Sequence, residues 1–392
     1  MEETEQLYSR QIAAYGSNSM NKISKLKILI YGVRGIGIEI CKNIILAGPE
    51  RVTIFDDIKI SKEDLGVNYY IKEKDIGLRR DEISIKKLSE LNNYVRCDYL
   101  KEGNIEKNIK EYDVLIITEI QEIDYLKRIN EVCRDNKKGF IYCLTFGLSF
   151  FCFVDFGKHL INNVVNNEAR KYFINNIIKG KTTKIIIDNQ FDDFNLNEGD
   201  FILLKDIKGI NQLLNGEKKK IKNCQEDSFE IEEDSSNYDD YIQGGIVEEV
   251  IENNIINYKS FEEMLKFPEQ CESINSDNVE RNLHLAFMAL HEYYKIYKRL
   301  PENNKDDLNE ILNLTKDIYI NNNKGWSKNI YLEENLLTNI YKYSICELSP
   351  VCGYGGGVVS QEIITLLHDF IRLPKIQALG DSRINVWKIK MK

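Results

Sequence analysis

Nowhere in the 392 residues does an apolar run approach the roughly 18–20 residues that a helix needs to cross a bilayer. Residues 1–10 are acidic and polar, unlike a secretory signal. No membrane partner is expected. The nine cysteines, at 41, 97, 133, 143, 152, 224, 271, 346 and 352, include no C-x-x-C pair. An odd count without metal-binding spacing points to reduced cytosolic thiols, and away from a disulfide framework or a zinc site. Positive charge is also short, with 53 Lys and Arg against 62 Asp and Glu, a net −9. Nucleic acid is therefore not an expected partner, because no global positive field would draw a phosphate backbone. No segment recurs with a period of about 20–50 residues, which excludes a solenoid. What remains is a globular composition, 43% hydrophobic and 29% charged. The length exceeds one ordinary core and predicts two or three domains of roughly 100–200 residues each.

Residues 26–150 alternate strand and helix. Short β-rich runs at 27–31, 51–55, 114–118 and 140–144 are separated by helical patterns at 36–46, 80–91 and 123–135. Such alternation predicts a Rossmann-like α/β fold with a doubly wound, mostly parallel sheet. Residues 150–156 form a further strand with no helix before it, expected to pair antiparallel at this end of the sheet. Between about 163 and 247 the strand-like pieces are short (183–187, 201–204, 220–223 and 229–231) and polar turns such as Asn197-Glu198-Gly199-Asp200 separate them. That spacing suits a small β-barrel or sandwich. Eight acids fall between Glu226 and Asp240, read as a solvated face or loop, with a binding surface as the alternative. From about 250 to 343 the pattern is helical, with Leu283, Phe287 and Leu290 on one stripe and further helices at 307–320 and 329–343. Short connections between helices suggest a bundle. Residues 321–323 look like a loop tip. In the last section Gly353, Gly355, Gly356 and Gly357 form a glycine-rich opening to an apolar helix, with strand-like residues beyond 373.

The conspicuous motif is Ile30-Tyr31-Gly32-Val33-Arg34-Gly35-Ile36-Gly37, after a strand and opening a helix, with Asp56 at the end of the next strand. A dinucleotide site requires that context. In the working fingerprint, G-x-G-x-x-G, the middle glycine lets the backbone approach the phosphates. Here Gly32 and Gly37 match the outer glycines, and Arg34 stands in the middle. Its side chain either fills the phosphate approach or swings out to pair with a phosphate. The first reading, a fold kept and a pocket lost, is the expectation.

The order of Tyr8-Ser9-Arg10-Gln11, the segment from Gly32 to Gly48, Asp75-Ile76-Gly77, Leu91-Asn92, Asp155-Phe156-Gly157, Asp240-Tyr241-Ile242-Gln243-Gly244-Gly245, Ala286-Phe287-Met288-Ala289-Leu290-His291 and the segment from Gly353 to Glu362 resembles the N-terminal half of the ubiquitin-activating enzymes. The resemblance covers essentially the whole chain and is weakest at 160–225 and in the last dozen residues. It implies an inactive adenylation domain of ThiF-like fold (1–160, returning at 344–392). That domain would be interrupted by a β-rich first catalytic-cysteine half-domain (161–248) and a four-helix bundle (249–343). In that family an active half follows and binds ATP and Mg²⁺. The resemblance thus implies an ATP-dependent ligase of which this chain is the non-catalytic part. Its partners would be the active half, ubiquitin and ubiquitin-conjugating enzymes, in cytoplasm and nucleus. It also implies that the chain stops where the second half would begin.

Adenylation needs a phosphate cradle, cations and a carboxylate for Mg²⁺. In Asp64-Leu65-Gly66-Val67-Asn68, Val67 stands where the active half carries an arginine, Arg80 where it carries a phosphate lysine, and Glu119 replaces the strand-end aspartate. Asp56 is read as vestigial or structural. Cys41, Cys143 and Cys152 lie in apolar patterns, and no other cysteine has a neighbour that marks it as a nucleophile. His284 and His291 share a helix face, but no third metal ligand is apparent. By the resemblance, Arg10 reaches in trans to the ATP of the partner half; by its chemistry alone it forms a surface salt bridge at the first helix, within an amphipathic start. The alternatives are the small subunit of an activating enzyme for another ubiquitin-like modifier, an NAD-dependent oxidoreductase, and an interaction module.

Overall fold

A computed structural model describes residues 6–162, 169–188, 196–210, 213, 216–225, 227–250, 253–266, 277–322, 331–367 and 385–388. The chain divides into two compact units, residues 1–159 with 255–368 and 372–392, and residues 160–254 with 369–371.

The first unit is built on seven strands: β1 (Lys27–Tyr31), β2 (Arg51–Phe55), β3 (Arg96–Tyr99), β4 (Val114–Ile117), β5 (Gly139–Phe146), β6 (Ser149–Asp155) and β17 (Asn385–Lys388), in the order β17-β6-β5-β4-β1-β2-β3. β1 to β5 are parallel; β6 runs antiparallel to β5, and β17 antiparallel to β6. Side chains alternate between the faces with the period of two that a strand imposes. Ile28, Ile30, Val114, Ile116, Cys143 and Cys152 face one core, while Leu29, Leu115, Ile117, Tyr142, Phe151 and Phe153 face the other. Strands buried on both faces are near-continuously apolar, which is why the sequence showed them plainly. β3, with Arg96 and Asp98, lies at an edge and did not show.

On the first face pack the helices Gly35–Ala47 and Ser349–Leu367. Here one expectation is corrected. Gly353, Gly355, Gly356 and Gly357 do not open the last helix; they lie inside it. Contact explains two of them, since a Cβ on Gly356 would come within 2.7 Å of Glu39 Cβ and 3.1 Å of its backbone carbon, and one on Gly355 within 2.9 Å of Phe150. Bare glycine lets the two helices touch.

The other face carries the helices Ile123–Asp135, Phe261–Lys266, Asp277–Tyr297, Lys305–Asn322 and Glu334–Lys342. The last three pack on one another, whereas Phe261–Lys266 packs against Ile123–Asp135. Asn321 and Asn322 end a helix instead of forming a loop tip, and residue 323 lies outside the described residues. Phe287 stacks on Phe151 with ring centroids 3.9 Å apart, so these helices share one core with the sheet.

The second unit is a closed barrel of β8 (Lys171–Ile178), β9 (Thr183–Ile187), β10 (Phe201–Lys205), β12 (Lys219–Lys222), β13 (Ser228–Ile231) and β15 (Ile246–Val250), in the order β10-β12-β13-β9-β8-β15. β11 (Lys208–Gly209) pairs with β14 (Tyr241–Gln243), and β7 (Lys158–Asn162) with β16 (Asn253–Asn257). Tyr172, Ile185, Ile202, Ile221, Phe229 and Val247 fill the barrel. The acidic stretch is no simple loop. It contains β13, and Glu232 pairs with Lys222, Glu233 with Lys219 and Asp240 with Lys179. Glu226 lies outside the described residues.

Candidate functional site

β1 lies between β2 and β4, so the winding of the sheet reverses there. The crevice beyond the strand ends at such a point is the usual ligand site of an open α/β sheet. Gly32 follows β1, Asp56 follows β2, and Thr118 and Glu119 follow β4. Gly32 has a φ of +90°, and a Cβ there would lie 2.4 Å from Glu119 Cγ. A Cβ on Gly37 would lie 2.1 Å from the Gly32 carbonyl oxygen. These two glycines keep their roles in the fingerprint, the left-handed turn and the close packing of helix on strand.

The middle position does something else. Arg34 Nε lies 3.2 Å from Asp64 Oδ1 and 3.5 Å from Glu347 Oε2. The buried Arg80 places Nη1 at 2.6 Å from Asp56 Oδ2 and 3.2 Å from Glu119 Oε1, with Nη2 at 3.3 Å from Asp64 Oδ2. Backbone donors are taken as well. Val33 N–H donates to Asp56 Oδ2 at 2.9 Å, Ile58 N–H to Asp56 Oδ1 at 3.2 Å, and Gly35 N–H to Glu347 Oε2 at 2.9 Å. Asn68 donates to the Val33 carbonyl and to Ser84 Oγ. Val67 borders Gly35, where a Cβ would meet its own Cβ at 3.2 Å.

Two guanidiniums thus sit among four carboxylates, Asp56, Asp64, Glu119 and Glu347. Burial and the charge of Asp56 push the Glu119 carboxyl up to about 7, against the opposing pull of Arg80. Burial raises the Asp56 carboxyl too, but two backbone N–H groups and a guanidinium favour its charged form. These residues do not fit ATP and Mg²⁺. The N–H groups a phosphate would use already donate to carboxylates, and a polyphosphate would enter a place with more negative than positive charge.

Arg34, Asp56, Gly32 and Gly37 are brought together, as are Arg80 and Glu119. Asp64 and Glu347 join the cluster without having been expected there. Asp64 carried a signal, since it lies in the stretch compared with the active half. Glu347 carried none, being 312 residues from its partner Gly35.

Arg10 lies apart from this cluster, on the helix Ser9–Tyr15. Its neighbours anchor that helix: Tyr8 Oη accepts from Asn92 Nδ2 at 2.7 Å, and Gln11 Nε2 donates to the Leu46 carbonyl at 3.3 Å. Arg10 itself is exposed and pairs with no acid among the described residues. Burial pushes the thiols of Cys97, Cys133 and Cys352 up to about 11, about 12 and about 12, and those of Cys41, Cys143, Cys152 and Cys224 upward too. Cys271 lies outside the described residues. Burial lowers His284 and His291 to about 4. His291 Nδ1 lies 2.7 Å from the Phe287 carbonyl, which can only accept, so its Nε2 takes the hydrogen bond from Tyr142 Oη at 2.7 Å. Among the described residues no cluster is arranged to hold a metal ion, and no helix is long and apolar enough to cross a membrane.

A family model described as the ThiF family matches residues 8–385. Ubiquitin-activating enzyme E1 2 of Arabidopsis thaliana is 31% identical over 92% of this chain and 34% of its own length. Ubiquitin-like modifier-activating enzyme 1 of Homo sapiens is 29% identical, again over 92% of this chain and 34% of its own. The chain therefore spans about a third of these relatives. Among solved structures, E. coli MccB with MccA-N7isoASN aligns at a TM-score of 0.34 and 18% identity, over 38% of this chain and 46% of that one.

Proposed function

The chain belongs to the ThiF family, and from that premise we propose that it is the non-catalytic N-terminal half of a ubiquitin-activating enzyme. The observation that carries this reading is the partly buried network of Arg34 and Arg80 with Asp56, Asp64, Glu119 and Glu347, which occupies the nucleotide end of the sheet with the chain's own charges. The likeness to a ubiquitin-activating enzyme and to a ubiquitin-like modifier-activating enzyme supports the choice of pathway. ATP and Mg²⁺ then belong to a partner half with an intact glycine loop, and ubiquitin and its conjugating enzymes engage the assembled protein, in cytoplasm and nucleus.

In this assembly the chain supplies position and one charge. Arg10, exposed on an anchored helix, reaches the polyphosphate of the partner half, where a permanently charged planar fork stabilises the charge of the transition state. Seven thiols raised by burial, those of Cys41, Cys97, Cys133, Cys143, Cys152, Cys224 and Cys352, are poor nucleophiles, and we assign thioester chemistry to the partner. The test has two arms. Isothermal titration of this chain with MgATP, and separately with NAD, gives no binding heat; a one-site isotherm in the micromolar range rejects the reading. With the partner half present, Arg10→Ala slows ubiquitin-driven ATP–pyrophosphate exchange by about ten-fold or more, and Arg10→Lys recovers only part of it. Equal rates for wild type and both variants remove Arg10 from the mechanism.

A further inference from the structure

The phosphate-facing end of the helix Gly35–Ala47 is already in contact with an anion, the side chain of Glu347. Gly35 N–H donates to its Oε2 at 2.9 Å, Arg34 Nε stands 3.5 Å from that oxygen, and Thr145 Oγ1 donates to Oε1 at 3.3 Å. A helix-start N–H, a guanidinium and a hydroxyl converge on two oxygens, a donor set that suits an oxyanion in general and not glutamate in particular. The approach depends on glycine, since a Cβ at position 35 would lie 2.7 Å from Oε2. The glutamate is nine-tenths buried and stands just before the helix Ser349–Leu367.

We propose that Glu347 is a built-in plug and latch. Its carboxylate takes the place an incoming anion would need at the glycine loop, and the same contact fastens the returning helix to the first βα unit. The inference deepens the filled-cradle reading of the proposed function. It fails separately, because MgATP can be excluded by Arg80 and its carboxylates whatever Glu347 does.

Removing the plug leaves a hole the size of a carboxylate, and formate is the probe that fits it. Thermal unfolding of the full chain compares wild type, Glu347→Ala and Glu347→Ala with Arg34→Ala, in sodium formate and in sodium chloride at matched ionic strength. Glu347→Ala melts below wild type in chloride. Formate restores about half or more of that loss while leaving wild type unmoved, because an anion that binds only the folded form stabilises it by mass action. Adding Arg34→Ala abolishes the formate effect. Equal responses of Glu347→Ala to formate and chloride overturn the proposal, as does a Glu347→Ala protein that melts with wild type. If the alanine variant does not fold, Glu347→Gln decides: it retains an acceptor for Gly35 N–H but loses the charge facing Arg34, and melting equal to wild type refutes the latch.

Discussion

Asp56 and Glu119 share one guanidinium and burial raises both carboxyls, but only Asp56 also has backbone donors, so Glu119 is the easier of the two to protonate. A carboxyl raised to about 7, above its ordinary value near 4.3, favours the protonated form in the folded state. The sign follows: its contribution to stability is complete below about pH 4 and is lost as pH rises through 7. Glu119→Gln fixes the neutral form. In urea unfolding at pH 5 and at pH 8, the variant should lose less stability between the two than wild type, by about 1–2 kcal/mol after allowance for partial exposure. Parallel losses would show that Glu119 is ionised throughout. His284 and His291 work in the opposite direction. Both are lowered to about 4 from about 6.5, so the fold favours neutral rings and loses stability as pH falls from 6.5 to 4, by up to about 3 kcal/mol for each. Their ring resonances should not titrate above about pH 5 in NMR; a midpoint near 6.5 would refute this. At this scale the sequence displayed Gly32, Arg34, Gly37, Asp56 and Arg80, which lie in one local stretch. Glu347 was beyond it, because a contact across 312 residues leaves no local pattern.

Within the helix Ser349–Leu367, adjacent glycines have opposite prospects. Alanine in a helix interior is favoured over glycine by about 1 kcal/mol. At Gly357 nothing lies within 4 Å of the added carbon, so Gly357→Ala gains most of that propensity and stabilises by about 0.5–1 kcal/mol. At Gly356 the new carbon meets Glu39 Cβ at 2.7 Å and backbone atoms at 3.1 and 3.2 Å, which cannot yield as a flexible tip would. Overpacking against backbone costs about 1–3 kcal/mol and outweighs the propensity gain. Gly356→Ala is therefore destabilising. Chemical denaturation of the two single variants decides, and a shift of the same sign in both would discredit the packing argument. The glycine run looked like the opening of the helix in the sequence because propensity is local, whereas the reason for Gly355 and Gly356 is contact with Phe150 and with the helix Gly35–Ala47. The same limit hid β3 and β8: Arg96 and Asp98 give β3 a polar edge, and the irregular register of β8 between Ile174 and Asn176 breaks its alternation.

Each of the two units closes its own core. Ile185, Ile202, Ile221, Phe229 and Val247 belong to a cluster distinct from the two that flank the sheet. Separate cores unfold as separate cooperative units, so calorimetry should resolve two transitions, with deuterium exchange assigning one to residues 171–250. A single transition with equal calorimetric and van't Hoff enthalpies would mean that the cores are coupled.

The rim strand of the sheet has a further consequence, for synthesis. β17 pairs with β6 in the register Asn385 to Cys152 and Lys388 to Ser149. At about 5–20 residues per second a ribosome needs roughly 10–50 seconds to add the roughly 230 residues that separate the two strands. Throughout that interval β6 has β5 on one side and an open row of N–H and C=O groups on the other, the kind of edge to which foreign strands add. The nascent chain thus carries that open edge from the completion of β6 until β17 is added, and a chaperone that shields strand edges would matter more for its yield than one that assists early collapse.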